Sequence, residues 1–242
     1  LISENVKAVF LDKDGTILDT HKYWVNMIEL RTSLILEYVN ERNNFNLANQ
    51  IESTLGIDQS KNKMKPNGPV GVMPKKHNID ILYKKTQKLN IPINRKEIEE
   101  IFNDADNKSI AQISNFIKPL PFVEEFLINC HKRSIKVSIL SNDTTSRCRL
   151  ALEVLGFNRY VDDVFGSDIV NYPKKTGKLA SFVMDKMQIK ADNVINIGDH
   201  PNDIKMGVNA GVQNNIGVLT GLTNRKDFDL SQCKVIQDFG EI

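Results

Sequence analysis

Long hydrophobic runs are missing from this chain of 242 residues. No segment approaches the ~18 to 20 apolar residues that a membrane-spanning helix needs, so no membrane partner is expected. The first residues, Leu1 to Lys7, carry charge and have no apolar core of the kind a secretion signal requires. Cysteine is scarce as well. Cys130, Cys148 and Cys233 form neither an even disulfide framework nor a CxxC pair, so the thiols are expected to be buried or idle and the compartment reducing. Together these features set the expectation of a soluble, cytoplasmic protein. Charge imbalance is also small: 32 Lys and Arg against 30 Asp and Glu leave a formal net charge of +2, which gives no general attraction to nucleic acid or to an acidic membrane. Aromatic residues make up 7% and do not interleave with the lysines of the 61–77 stretch, so no nucleic-acid partner is expected.

What is present is an ordinary globular composition, with 40% hydrophobic and 26% charged residues, in a chain long enough for two compact units. Val6 to Leu11 is short, apolar and bounded by charge, as a central buried strand of a parallel sheet should be. Apolar residues at helical spacing then run from Tyr23 to Arg42, Leu47 to Leu55, Ile79 to Leu89 and Arg95 to Phe116. Between them Gly56 to Asn78, rich in Lys, Pro, Gly and Asn, reads as a long irregular loop. After Pro119-Leu120-Pro121 the texture becomes an alternation. Helices are expected over 122–132, 145–155, 179–187 and 202–210, with strands over 136–140, 160–165, 193–197 and 215–219. Such alternation predicts an α/β fold with a doubly wound parallel sheet. Residues 1–17 and 119–242 are expected to form that core, and 18–118 an inserted all-helical domain.

In open α/β sheets the ligand crevice lies beyond the carboxyl ends of the strands. There the first strand delivers Asp12 and Asp14, the strand at 136–140 delivers Ser141 and Asn142, and the strand at 193–197 runs into Gly198-Asp199-His200-Pro201-Asn202-Asp203. Residues two apart on an extended segment project to one side, so Asp12 and Asp14 can share a site, with Lys13 turned away. Two close carboxylates repel, and a divalent cation or a retained proton relieves that cost.

The quoted stretches "DKDGT", "SND", a downstream lysine in "NYPKKTGK" and "GDHPND" resemble the motifs of the haloacid dehalogenase superfamily. Within it they resemble the magnesium-dependent phosphatase branch, phosphoglycolate phosphatase-like, with a helical cap inserted after the first motif. The resemblance implies Asp12 as nucleophile and Asp14 as general acid and base. It implies Mg2+ as cofactor, held by the side chains of Asp12 and Asp199 and the main-chain carbonyl of Asp14, with Asp203 supporting. A phosphate would be held by Ser141, Asn142, Gly15, Thr16 and a lysine; counting back from Asp199 favours Lys174, with Lys175 second. The implied substrate is a small phosphorylated metabolite, and the implied assembly a monomer or homodimer. A phosphomutase of the β-phosphoglucomutase type keeps the same acids and remains an alternative, as does a phosphate-binding module without turnover. His200 has no role that follows from its position. Trp24 is expected in the core of the insertion, with His21 and Arg31 solvated. The basic stretch Lys61 to His77 would read the non-phosphate part of the substrate if it closed over the crevice, although a charged loop is most often simply solvated.

Overall fold

The computed structural model describes residues 2–66, 68–71, 73–169 and 172–242. They fall into two compact units, one formed by the chain up to Asp19 together with Lys118–Ile242, the other by Thr20–Ile117. The chain enters through strand β1 (Ala8–Leu11), all four residues of which are buried.

The unit Thr20–Ile117 contains helices α1 (Thr20–Tyr38) and α2 (Phe45–Leu55), strands β2 (Ile57–Asp58) and β3 (Lys63–Met64), and helices α3 (Lys75–Lys88), α4 (Arg95–Ala111) and α5 (Ile113–Phe116). Side-chain caps set the starts of two of these helices. Asn44 accepts from the Leu47 amide at 2.9 Å ahead of α2, and Asn94 and Glu97 form a reciprocal capping box ahead of α4. The insertion is therefore not all-helical as expected. Asp58 Oδ1 accepts from both the amide and hydroxyl of Ser60, which turns the chain back so that Ile57 pairs with Met64 and Asp58 with Lys63. Strands of two residues leave no readable alternation. The helix expected over 95–116 is also interrupted, at Gln112.

Three expectations for this unit resolve differently. Trp24 does pack, meeting Tyr23 edge-on at 4.9 Å beside the Met27, Ala105 and Phe116 cluster. Arg31, expected in solvent, is 4% exposed, with its guanidinium 2.9 Å from Asp106 and 4.2 Å from the Phe102 ring centre. His21 accepts from the Met64 amide at 3.2 Å, so it too is tied into the fold. In the basic stretch, Lys65 donates to the Ser53 hydroxyl at 3.0 Å and Lys75 to Asn103 at 2.6 Å, which commits part of its charge to the unit itself. Asn67 and Val72 of that stretch lie outside the described residues.

The other unit continues with α6 (Val123–Lys132), β4 (Lys136–Leu140), α7 (Thr145–Leu155), β5 (Asp163–Phe165), α8 (Lys178–Met187), β6 (Val194–Gly198), α9 (Pro201–Asn209), β7 (Asn214–Val218) and β8 (Lys234–Ile236). Its six strands lie in the order β5-β4-β1-β6-β7-β8, and every neighbouring pair is parallel. This is the expected doubly wound α/β sheet, with β8 as an additional edge strand. Strand order runs outward in both directions from β1, so the switch point lies beside the first strand. Alternate residues of β1 face opposite layers: Ala8 and Phe10 join a core of Leu140, Phe165, Leu179, Ala180 and Val183. Register aligns the strand ends, because Leu11 lies opposite Ile139 on one side and Ile197 on the other. Residues just past those ends must therefore meet. Among the described residues no helix is long and apolar enough to cross a membrane.

Candidate active site

Beyond the end of β1, the Asp12 amide donates to the Ile197 carbonyl at 3.0 Å, which sets Asp12 alongside the end of β6. Carboxylate oxygens of Asp12, Asp199 and Asp203 all lie within 4.8 Å of one another. Lys174 sits among them, its Nζ 2.5 Å from Asp12 Oδ1 and 2.6 Å from Asp203 Oδ1. The side chain of Lys174 is 3% exposed, whereas Lys175 is exposed, with its carbonyl accepting from Asn209. Of the two candidate lysines, the fold thus brings Lys174 to the carboxylates. Asn171, the first residue of "NYPKKTGK", lies outside the described residues.

Asp203 serves two local purposes. Its Oδ2 accepts from the His200 amide at 3.0 Å, and His200 Nδ1 in turn accepts from the Asn202 amide at 3.1 Å. This capping box starts α9 and leaves Asp203 Oδ1 for Lys174. His200, which had no assigned role, is the N-cap residue.

The electrostatics follow from this crowding. Burial raises Asp12 above the ordinary carboxylate range, and Asp203 adds to that while Lys174 opposes it. Burial, then Asp12 and Asp203, push Asp199 well above its usual value. Burial alone would lower Lys174, but Asp12 and Asp203 outweigh it and raise the ammonium's pKa. Three ionised carboxylates and one ammonium would carry −3 and +1, a formal −2. A retained proton or a bound cation relieves such a charge. An all-oxygen, carboxylate-rich donor set of this charge fits a hard divalent cation and offers no nitrogen or sulfur ligand.

The remaining expected residues are placed as follows. Ser141 is buried at the end of β4, its hydroxyl accepting from the Asp143 amide at 3.1 Å, and Asn142 beside it is exposed. Thr16 is fully buried with a hydroxyl that meets no partner. Gly15 sits in the turn that follows β1, its N–H donating to Leu18 O at 2.9 Å and its carbonyl accepting from Thr220 Oγ1 at 2.6 Å. Its φ of +80° requires glycine in this turn, and a Cβ there would lie 2.4 Å from Asp199 Oδ2. Gly221, which sequence reasoning missed, closes the other side: a Cβ would lie 1.7 Å from the same oxygen. The only sequence signal for it is a Thr-Gly pair after a strand.

Lys13 also departs from expectation. β1 ends at Leu11, so the strand alternation that turned Lys13 away no longer applies two residues later. Lys13 is 5% exposed, with Nζ 2.7 Å from Asp14 Oδ1 and 3.3 Å from Asp143 Oδ2. Asp14 therefore lies with Lys13 and Asp143, next to the Asp12 cluster but outside its set of side-chain oxygens. Asp19, the third acid of the opening stretch, has its amide bonded to Lys118 O at 2.9 Å.

A doubly wound sheet with carboxylates, an ammonium and buried hydroxyls gathered at its switch point defines an α/β protein equipped to hold a cation and an anionic group together. The haloacid dehalogenase-like hydrolase model matches residues 6–211, and the chain belongs to that family of hydrolases. It is 27% identical over 139 residues to a phosphoglycolate phosphatase from Vibrio parahaemolyticus, covering 57% of this chain and 59% of that protein. It is 22% identical over 209 residues to the pyrophosphatase PpaX of Oceanobacillus iheyensis, covering 86% of this chain and 82% of that one. Among solved structures, a putative β-phosphoglucomutase from Thermotoga maritima superposes with a TM-score of 0.70 at 17% identity, over 96% of this chain and 94% of the other. That likeness speaks to the fold.

Proposed function

We propose that the protein is a Mg2+-dependent phosphatase acting on a small phosphomonoester, phosphoglycolate or a related metabolite, through an aspartyl-phosphate. The observation that carries this reading is Lys174 buried between Asp12 and Asp203, within a trio of carboxylates that also includes Asp199. Asp12 attacks phosphorus: its carboxylate oxygen forms the new P–O bond as the bond to the leaving oxygen breaks, and Asp14 gives that oxygen a proton. Water then yields a proton to Asp14 and attacks phosphorus, breaking the bond to Asp12. Splitting hydrolysis in this way replaces one difficult displacement with two easier ones. Lys174 holds Asp12 in line and faces the developing charge on the phosphoryl oxygens, as does the Ser141 hydroxyl. Asp12, Asp199 and the main chain at Asp14 would hold Mg2+, with Asp203 supporting; when bound, the ion offsets the carboxylate charge, keeps Asp12 ionised and polarises the phosphoryl group. Three free, buried cysteines support a reducing, cytoplasmic setting.

Asp12→Asn tests the reading. Hydrolysis of an aryl phosphate with Mg2+ should disappear while circular dichroism and the unfolding transition stay close to those of the wild type. Undiminished turnover in that variant would refute the mechanism. A sugar phosphate that returns inorganic phosphate supports hydrolysis, and one that returns an isomer supports the phosphomutase alternative.

A further inference from the structure

We propose that Lys13 is a positioning residue for proton transfer, a buried clamp that ties the Asp14 carboxylate to Asp143 of the β4 loop and thereby orients it toward the leaving oxygen. The inference rests on the role given to Asp14 above.

The clamp is anchored at both ends. The Lys13 carbonyl accepts from the amides of both Ile17 and Leu18 at 3.0 Å, so its backbone is pinned within the turn. Asp143 is fixed independently. Its amide donates to Ser141 Oγ at 3.1 Å, its Oδ1 accepts from the Thr144 amide at 2.8 Å, and its carbonyl accepts from the Ser167 amide at 2.9 Å. Arg147 approaches the same carboxylate at 3.4 Å. Asp14, in contrast, has a side chain that is 44% exposed. Its contact with Lys13 at 2.7 Å, through Oδ1, confines it. Oδ2 takes no part in that contact.

Folding stability does not account for the arrangement. A lysine side chain that is 7% exposed loses most of its hydration, and an apolar residue of similar volume would avoid that cost. The pair with a half-exposed carboxylate contributes little by itself. Orientation is different: a carboxyl already confined when substrate arrives does not lose rotational freedom in the transition state. The same ammonium joins the loop after β1 to the loop after β4, so the acid and the Ser141 hydroxyl are held in one frame.

The test uses the full chain with Mg2+ and a series of phosphomonoesters whose leaving groups run from 2,4-dinitrophenol through 4-nitrophenol and phenol to a simple alcohol. The readout is kcat/KM, which reports the step in which the leaving oxygen receives its proton. A general acid is worth roughly 100- to 10,000-fold, and its help matters most for the most basic leaving group. For Lys13→Met the loss should be within ~3-fold on the dinitrophenyl ester and grow to about 10- to 100-fold on the alkyl ester, since part of that assistance is forfeited. Asp143→Asn should shift the series in the same direction by less, and Asp14→Asn by more. Losses that are uniform across the series in Lys13→Met and Asp143→Asn, with a steep trend in Asp14→Asn, overturn the clamp and leave the phosphatase mechanism standing. A flat series in Asp14→Asn overturns the acid assignment and the clamp with it. Should Lys13→Met lose its folded circular dichroism spectrum, Asp143→Asn decides the matter alone.

Discussion

Replacing Lys174 with methionine removes one ammonium and leaves the shape of the side chain nearly intact, so the consequences are electrostatic. In the native protein Nζ lies 2.5 Å from Asp12 and 2.6 Å from Asp203, and the three side chains are 3%, 12% and 5% exposed. At an effective dielectric of about 20 each contact has a gross Coulomb energy of roughly 6 kcal/mol, and desolvation of the partners offsets much of that. What remains is the cost of leaving buried carboxylates without a cation, about 3 to 5 kcal/mol of stability. For a chain of this size that is a fall of roughly 6 to 20 °C in Tm. Urea unfolding in chelator at about pH 8 measures it, with Lys175→Met as the control, expected within about 0.5 kcal/mol because that side chain is exposed.

The deficit should also depend on pH with a definite sign. Burial raises Asp12 and Asp199 above their unfolded values, and loss of Lys174, which opposes that rise, raises them further. A carboxyl with a raised folded pKa binds protons more tightly when folded, so it destabilises at pH above both values and ceases to do so as pH falls. The difference between Lys174→Met and wild type should therefore shrink on going from about pH 8 to about pH 5. Added Mg2+ should shrink it too, because a cation bound to the folded form takes over the neutralisation. A deficit below about 1 kcal/mol, or one that neither acid nor Mg2+ reduces, would refute the electrostatic account of this cluster.

Three other outcomes follow from the geometry. Gly221→Ala places a Cβ 1.7 Å from Asp199 Oδ2, so Asp199 must move; calorimetric titration should show Mg2+ bound at least ~10-fold more weakly, and an unchanged affinity would remove Asp199 from the metal set. Burial pushes the thiols of Cys130 and Cys148 up to about 11, so an aromatic disulfide reagent at about pH 8 should label them only after denaturation; rapid labelling of the native protein would contradict their burial. Arg31→Met removes the 2.9 Å pair with Asp106, which keeps Lys75 at 2.5 Å. The loss should be about 2 kcal/mol in urea unfolding, and no loss would mean that the buried guanidinium is no better than an apolar side chain there.

The sheet was readable because buried parallel strands are apolar runs. Ala8–Leu11, Lys136–Leu140 and Val194–Gly198 stand out against charged flanks, and the helices between them carry their own periodicity. Asp12, Ser141 and Asp199 were readable for the same reason: each follows such a run by one residue. Strands β2 and β3, of two residues each, are shorter than any alternation can reveal. Arg31 looked like a solvated residue because Asp106 lies 75 positions away, and no local pattern links them. Lys13 was misjudged because strand geometry was extended past Leu11, where the chain already turns.

A distant partner hides a residue's environment, as Asp106 does for Arg31, only where no strand register links the two. Lys174 and Asp12 are 162 positions apart, yet their contact follows from register. Leu11 aligned with Ile197 sets Asp12 against the end of β6, and α9 begins there with Asp203 in its first turn. Because side chains alternate, a slip of one residue between β1 and β6 would turn Phe10 away from its core and move Asp12 out of reach of Asp199 and Asp203. The apolar residues of β1 thus fix the site as firmly as the carboxylates do. A substitution that loosens Phe10 in its layer should therefore weaken Mg2+ binding although it touches no charged group.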